Sequence, residues 1–160
     1  MAEEIVLLID PDEVERRRLQ RAFASEGFQL LEAESAIEGL FETLERDPVL
    51  ILLAEQVPPL AAGELLLVLR RITEAPVIVI GSGDEPEEGS VLELGAAFYL
   101  RRPFGDRVAV ARARSLIRRY LGSLERERLA SRLAARGNGN RLISDRPRLL
   151  DGGAGRRAAS

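Results

Sequence analysis

The feature that most constrains the fold is an apolar run at residues 49–54, near the middle of the chain. Its six residues follow one another without polar alternation, and they lead into Glu55 and then the proline pair Pro58-Pro59. A half-buried strand would alternate apolar and polar residues, whereas a short continuous run is typical of a strand buried on both faces. Such a strand predicts a parallel sheet with helices on each side, in which functional groups lie at the carboxyl ends of the strands.

Three more short apolar runs predict strands at residues 5–9, 76–80 and 98–100, and residues 28–33 are a further predicted strand. Helical patterns separate and follow these strands. The predicted helices cover residues 12–26, 35–46, 64–72, 86–94 and 106–121. A fivefold alternation of strand and helix predicts an α/β protein with a three-layer parallel sheet.

The first two helices begin with capping patterns, Asp12 with Glu15 and Ser35 with Glu38. In each helix a stripe of apolar residues at helical spacing is expected to face the core. The stripes are Val14, Leu19, Ala22 and Phe23 in the first helix, and Ile37, Leu40, Phe41 and Leu44 in the second.

Composition removes several classes of function. The 160 residues include no cysteine and no histidine, which excludes the usual zinc sites, disulfides, thiol nucleophiles and histidine-based proton relays. The acidic start of the chain runs directly into a predicted strand, so it does not read as a signal peptide. No apolar run approaches the roughly 20 residues of a membrane span. We therefore expect a soluble, cytoplasmic protein.

Charge is distributed unevenly along the chain. Residues 1–120 contain 14 arginines and 22 acids, whereas residues 121–160 contain 9 arginines and 4 acids, a net charge of +5. We predict an α/β domain at residues 1–121, a charged helical extension at 122–137, and a flexible tail containing Arg and Gly at 138–160. The apolar face of the extension consists of Leu129, Ala130, Leu133 and Ala134.

Five landmarks stand at a characteristic spacing. They are the strand-end acid Asp10, Ala54 with Pro58 four residues later, the run at 76–80, Leu94-Gly95-Ala96, and Tyr99 followed by Arg102-Pro103-Phe104. Together they resemble the receiver domain of response regulators (CheY-like) over about residues 4–120. The resemblance implies a flavodoxin-like (βα)5 fold with strand order 2-1-3-4-5.

In that family a phosphoryl group is transferred to an aspartate that ends the third strand. Two adjacent acids hold magnesium, a Ser or Thr ends the fourth strand, and a Lys precedes the proline after the fifth. Here Asp10 matches the first acid, but Pro11 stands in place of the second, with Asp12 one residue further on. The other departures are Ala54 at the nucleophile position, Gly81 with neighbouring Ser82 at the hydroxyl position, and Arg102 at the lysine position.

These departures predict a degenerate receiver pocket without a catalytic residue. An alanine methyl offers no oxygen to phosphorus, and one matched acid is a poor ligand set for magnesium, which prefers an octahedral shell of oxygens. No cofactor is therefore expected, magnesium included. Because a guanidinium is permanently charged and can pair with a carboxylate through two nitrogens, we predict that Arg102 pairs with Asp10 and fills the pocket. Asp12 is a second candidate partner.

Four positions have competing interpretations. Glu55 could be a displaced phosphoryl acceptor, but strand alternation favours a solvated side chain on the opposite face. Asp12 could add to an acid cluster, but a helix N-cap is favoured. Ser82 and its flanking glycines could bind an anion at a helix N-terminus, but a flexible loop is favoured. Tyr99 occupies the family's aromatic switch position, two residues before Arg101. It could face a partner or simply pack in the domain, and the sequence favours neither role.

Two classes of function remain. The first is a phosphorylation-independent pseudo-receiver that binds another signalling protein and is not an enzyme. Its contact surface would be the face of the fourth helix, fifth strand and fifth helix, or the C-terminal helix, and either could form a homodimer. The second is an atypical response regulator that switches through another ligand or acceptor. Nucleic-acid binding by the basic tail is a further alternative, and it is not favoured because the tail lacks interleaved aromatic residues.

Overall fold

The computed structural model describes the backbone of residues 4–159 and the side chains of residues 4–138. The chain divides into two compact units, residues 1–121 and residues 122–160. Each unit is described by itself.

The first unit contains a five-stranded parallel sheet. Its strands are β1 (Ile5–Ile9), β2 (Gln29–Ala33), β3 (Leu50–Ala54), β6 (Val77–Gly81) and β7 (Phe98–Arg101). The order across the sheet is β2-β1-β3-β6-β7, with β3 at the centre, and every neighbouring pair is parallel. This is the predicted order 2-1-3-4-5, because the remaining strands, β4 (Gln56–Val57) and β5 (Leu60–Ala61), form a separate antiparallel hairpin. The flavodoxin-like fold is confirmed.

Helices connect the strands and cover both faces of the sheet. They are α1 (Glu13–Ala24), α2 (Ala36–Arg46), α3 (Ala62–Ile72), α4 (Glu85–Glu93) and α5 (Asp106–Ala159). Asp12 caps α1, because its side chain accepts hydrogen bonds from the amides of Val14 and Glu15. Ser35 caps α2, because its side chain accepts a hydrogen bond from the amide of Glu38. Both predicted helix starts are therefore confirmed.

Two apolar cores lie on opposite faces of the sheet. One joins the sheet to α2, α3 and α4, and it includes Leu7, Ile9, Leu53 and Leu66. The other joins the sheet to α1 and the first turns of α5, and it includes Phe23 and Ile117. All five residues of β1, β3 and β6 are buried, which is the burial that continuous apolar runs predict.

The predicted core face of α2 is wrong. Ile37, Phe41 and Leu44 are 83%, 58% and 65% exposed, and only Leu40 of that stripe packs partly against the core. The buried residues of α2 are small or polar: Ala36, Gly39 and Thr43. A β-carbon on Gly39 would overlap the side chain of Ile9, so α2 approaches the sheet too closely for large side chains. In α1, Val14 is likewise exposed instead of buried.

The helical extension also differs from the sequence-based boundaries. α5 is assigned over Asp106–Ala159, with no interruption at residues 122–123 or 137–140 where breaks were predicted. The division of residues 122–160 into extension and flexible tail stays a prediction, because the side chains after residue 138 lie outside the described part. No helix within the described residues is both long and apolar enough to cross a membrane.

Candidate functional site

Asp10 is the one acid of the predicted pocket whose carboxylate lies in it. Residue Asp10 follows β1 directly and is 2% exposed. Its Oδ1 accepts a hydrogen bond from the amide of Asp12 at 2.8 Å, and its carbonyl oxygen accepts one from the Arg16 guanidinium. Its Oδ2 has no hydrogen-bond partner within the described residues. Burial raises the pKa of Asp10, while the Asp12 amide and the Arg102 charge oppose that rise.

Arg102 reaches the same pocket from the loop after β7. Its Nη2 lies 4.0 Å from Asp10 Oδ2, and its Nε lies 3.6 Å from Glu15 Oε1. The predicted proximity of Arg102 and Asp10 is confirmed, although one nitrogen at 4.0 Å is a loose ion pair and not a bidentate fork. Sequence reasoning missed Glu15 as the second partner, since it was assigned only to helix capping. One guanidinium therefore spans two buried carboxylates.

The other acid position of the pocket does not supply a metal ligand. Pro11 has no carboxylate, and the Asp12 side chain is engaged as the N-cap of α1, as favoured from the sequence. Within the described residues, no group of three or more acids, histidines or cysteines is arranged to hold a metal ion. The donor set next to Arg102 does not fit the oxygen shell that magnesium requires.

Ala54 ends β3 at the centre of the sheet. It is 4% exposed, pairs with Ile80 of β6, and packs in the core shared with α2 and α3. Its methyl group gives this position a packing role. No side-chain oxygen is available where the family's nucleophile would stand.

Glu55 is the residue for which the sequence-based interpretation is wrong. Its half-buried carboxylate is bound by other parts of the domain and is not simply solvated: Oε2 accepts a hydrogen bond from the amide of Ser82, and Oε1 accepts one from the hydroxyl of Tyr99, each at 3.1 Å. The β3 strand ends at Ala54, so strand alternation no longer fixes the direction of the next side chain. Glu55 therefore bridges the ends of three neighbouring strands.

Tyr99 completes this arrangement from β7. Its hydroxyl oxygen accepts a hydrogen bond from the amide of Gly83 at 2.7 Å while the hydroxyl donates to Glu55. Its ring is buried, so the side chain packs inside the domain and does not itself present a partner surface. Burial raises the pKa of Tyr99; the Gly83 amide opposes this and the Glu55 hydrogen bond adds to it. We call Glu55, Tyr99, Ser82 and Gly83 the Glu55 network.

The loop after β6 is shaped around this network. A β-carbon on Gly81 would overlap the Glu55 carboxylate and the Tyr99 hydroxyl, and one on Gly83 would overlap Glu55 and Glu87. The amides of Ser82 and Gly83 already donate to protein groups, so the anion site considered for this loop has no free donors there. In the sequence, the close spacing of Gly81 and Gly83 is the signal that could have indicated a side chain packed against this loop.

Two charged residues border the network. The exposed Glu87 of α4 lies beside Glu55, and the interaction with that carboxylate is the main reason the pKa of Glu87 is raised. Arg101 is exposed, pairs with Glu88 at 2.7 Å, and stacks over the Tyr99 ring at 5.3 Å. Arg101 thus reaches the surface that was predicted to bind partners.

No family model matches the chain. Among curated proteins, it is 34% identical over 116 residues to the KDP operon transcriptional regulatory protein KdpE of Escherichia coli strain K12, which covers 72% of this chain and 52% of the relative. It is 31% identical over 123 residues to the phosphate regulon transcriptional regulatory protein PhoB of Pseudomonas aeruginosa, covering 74% of this chain and 54% of the relative. The chain spans about half the length of the curated relatives it matches.

Solved structures show the same fold. A receiver domain protein (CheY-like) from Methanospirillum hungatei JF-1 matches with a TM-score of 0.72 at 19% identity, over 76% of this chain and 98% of that chain. The receiver domain of the Francisella response regulator 1452 matches with a TM-score of 0.69 at 24% identity, over 73% and 98%. The matched part corresponds in size to the first unit.

Proposed function

We infer that this chain belongs to the receiver-domain family of response regulators, and we propose that it acts as a phosphorylation-independent pseudo-receiver. In this proposal it signals by binding another protein, it carries out no enzymatic step, and it needs no magnesium. The observation that carries the proposal is Ala54, a buried methyl group at the position where the family's phosphoryl acceptor stands.

The Asp10 pocket supports the proposal on electrostatic grounds. Arg102 already places a permanent positive charge between Asp10 and Glu15. A divalent cation brought to Asp10 would have to displace that guanidinium from both carboxylates. Charge neutralisation by an arginine therefore takes the place that a metal ion has in active receivers.

The Glu55 network supports it on conformational grounds. Tyr99 stands at the family's aromatic switch position, and its hydroxyl is held by a carboxylate and an amide of the protein itself. These groups are present without any modification, so the arrangement of the loop after β6 does not require phosphorylation. A protein with such a network would present a constant surface to its partner.

A regulator that switches through a different ligand is the second candidate. Within the described residues, Oδ2 of the buried Asp10 accepts no hydrogen bond, which favours this candidate because a buried carboxylate oxygen without one is uncommon. The relatives named above are transcriptional regulators by name, so they give no support to the expectation that nucleic acid is not a partner of this chain. That expectation stays a prediction.

Beryllofluoride with magnesium tests the proposal, because this pair mimics a phosphoryl group on aspartate. We expect the unfolding temperature of the native chain, and the amide chemical shifts at Ala54 and Gly81, to stay unchanged on titration. A matched control is the variant Pro11→Asp/Ala54→Asp/Arg102→Lys, which rebuilds the family's pocket and should respond. A saturable shift in the native chain would overturn the pseudo-receiver proposal.

A further inference from the structure

The exposed apolar residues of α2 continue across to α3. In α2, Ile37, Phe41 and Leu44 lie on one side of the helix and are well exposed. In α3, Val68 and Ile72 are also exposed. Exposed apolar patches of this kind mark binding surfaces more often than scattered single residues do.

The geometry of the fold places these two sets opposite each other. On α3, Gly63 lies against Leu94 and Arg70 lies against Gly95, so this side of α3 faces α4. Val68 and Ile72 occupy the opposite side, which faces α2. Because the connections between parallel strands are right-handed crossovers, α2 and α3 run side by side in the same direction. Around the axis of α2, the exposed apolar residues follow Leu40 on the side away from the buried Gly39, and this side of α2 faces α3. The result is an apolar groove between α2 and α3, the α2–α3 groove.

The α2–α3 groove has an acidic border. Along α2 the side chains of Glu38 and Glu45 are exposed and that of Glu42 is half-buried, against one arginine at the end of that helix. Within the described residues, none of these three acids takes part in an ion pair. The groove therefore fits an apolar segment that carries positive charge.

The second unit contains a segment with these properties. Leu129 and Leu133 are four residues apart in a helix, so they lie on one face, and both are exposed. Ala130 and Ala134 widen that face and allow close approach. Its basic residues are Arg126, Arg128, Arg132 and Arg136, against Glu125 and Glu127.

We propose that residues 124–136 of one copy bind in the α2–α3 groove of a second copy, with Leu129 and Leu133 as anchors. This is the binding of an amphipathic helix in an apolar groove, with arginines facing the acids of α2. Each copy has one groove and one segment. In a two-fold dimer both grooves are therefore occupied by the partner's segment, and no groove is left for a third copy. The proposal does not depend on the absence of phosphorylation.

The test measures the mass of the full chain in solution by light scattering during gel filtration. We expect the native chain to have twice the mass of one chain, and both Phe41→Glu and Leu133→Glu to shift it to a monomer, with a dimer dissociation constant at least about ten-fold higher. Val14→Glu is the matched control, since it also places a charge at an exposed apolar position, but on α1; it should remain a dimer. Circular dichroism checks that each variant is folded.

Mixing the two monomeric variants identifies the occupant of the groove. Phe41→Glu keeps an intact segment and Leu133→Glu keeps an intact groove, so the mixture should form a heterodimer through one intact contact, while each variant alone should not. A monomeric native chain would overturn the proposal, and so would a dimer that only Phe41→Glu disrupts, which would indicate groove-to-groove contact. A dimer that neither substitution affects would overturn it as well.

Discussion

Asp10 and Glu55 are both carboxylates at the ends of sheet strands, and their surroundings differ. Asp10 is almost fully buried, one of its oxygens lacks a hydrogen bond from any residue that the structure describes, and its cationic neighbour lies 4.0 Å away. Glu55 is only partly buried, but each of its oxygens accepts a hydrogen bond from a different element. The buried carboxylate is therefore the poorly satisfied one.

The difference shows what each carboxylate does for the fold. A buried charge costs free energy unless hydrogen bonds replace its lost hydration, and Asp10 has one such bond from a backbone amide. A partly exposed charge keeps some hydration, so the bonds of Glu55 contribute stability at a smaller cost. We infer that Glu55 stabilises the strand ends, whereas Asp10 destabilises them at neutral pH.

Replacing Glu55 should have the largest effect. Glu55→Ala removes the acceptor for the Ser82 amide and for the Tyr99 hydroxyl, so we expect a loss of about 2 kcal/mol in unfolding free energy. Amide hydrogen exchange at Ser82 and Gly83 should accelerate, and the raised pKa of Glu87 should fall toward its ordinary value because Glu55 is its main cause. Glu55→Gln is the control that keeps an acceptor without the charge. Unchanged exchange at both amides would contradict the role assigned to Glu55.

Replacing Asp10 should have a smaller effect of opposite sign. Burial raises the pKa of Asp10 above its ordinary 3.8, so the folded state binds this proton more tightly than the unfolded state does. The resulting stability is fully present below about pH 3.8 and is lost as the pH rises through the folded pKa. Asp10→Asn removes this loss and should be more stable than the native chain by about 1 kcal/mol at pH 7.

Urea unfolding between pH 3 and pH 7 measures this difference. The advantage of Asp10→Asn should grow with pH and then level off once the native Asp10 is fully ionised. If the variant were instead less stable at pH 7, the Arg102 ion pair would outweigh the cost of burial, and the comparison with Glu55 would fail.

Replacing Arg102 should have the smallest effect on stability. The Arg102 side chain is about one-third exposed and its ion pairs are long, so Arg102→Gln should change the unfolding free energy by less than about 1 kcal/mol. It should, however, raise the pKa of Asp10 further, since the Arg102 charge lowers it in the native chain. A carboxyl carbon chemical-shift titration of Asp10 in both proteins would detect this change, and an unchanged pKa would contradict the assigned interaction.

The sequence was sufficient to predict the five strands of the parallel sheet and the helix caps, because each rests on local chemistry. The degenerate pocket follows from the resemblance to receiver domains and stays a prediction. Continuous apolar runs give buried strands, and the absence of an oxygen at Ala54 follows from its identity alone. The buried face of α2 was not predictable in this way: a stripe of large apolar residues and a stripe of small ones repeat with the same helical period. The contact between Ile9 and Gly39 decides between them, and it exists only in three dimensions.

Glu55 escaped prediction for a related reason. Alternation fixes the direction of a side chain only while the strand continues, and β3 ends one residue earlier. Its partners, the Ser82 amide and the Tyr99 hydroxyl, come from strand ends that are distant in sequence. The sequence indicated a loop at Gly81 and Gly83, but it did not show why both residues are glycines. A β-carbon at either position would overlap the Glu55 side chain.

The occupied hydroxyl of Tyr99 has a consequence for attempts to reactivate this domain. Replacing Ala54 and Pro11 by aspartate and Arg102 by lysine would restore the groups that accept a phosphoryl group in the family. The aromatic residue at the family's switch position would have to respond to that group, and here the Tyr99 hydroxyl is already hydrogen-bonded to Glu55. We therefore expect that such a variant could be phosphorylated without a change in the position of Tyr99, unless Glu55 were replaced as well.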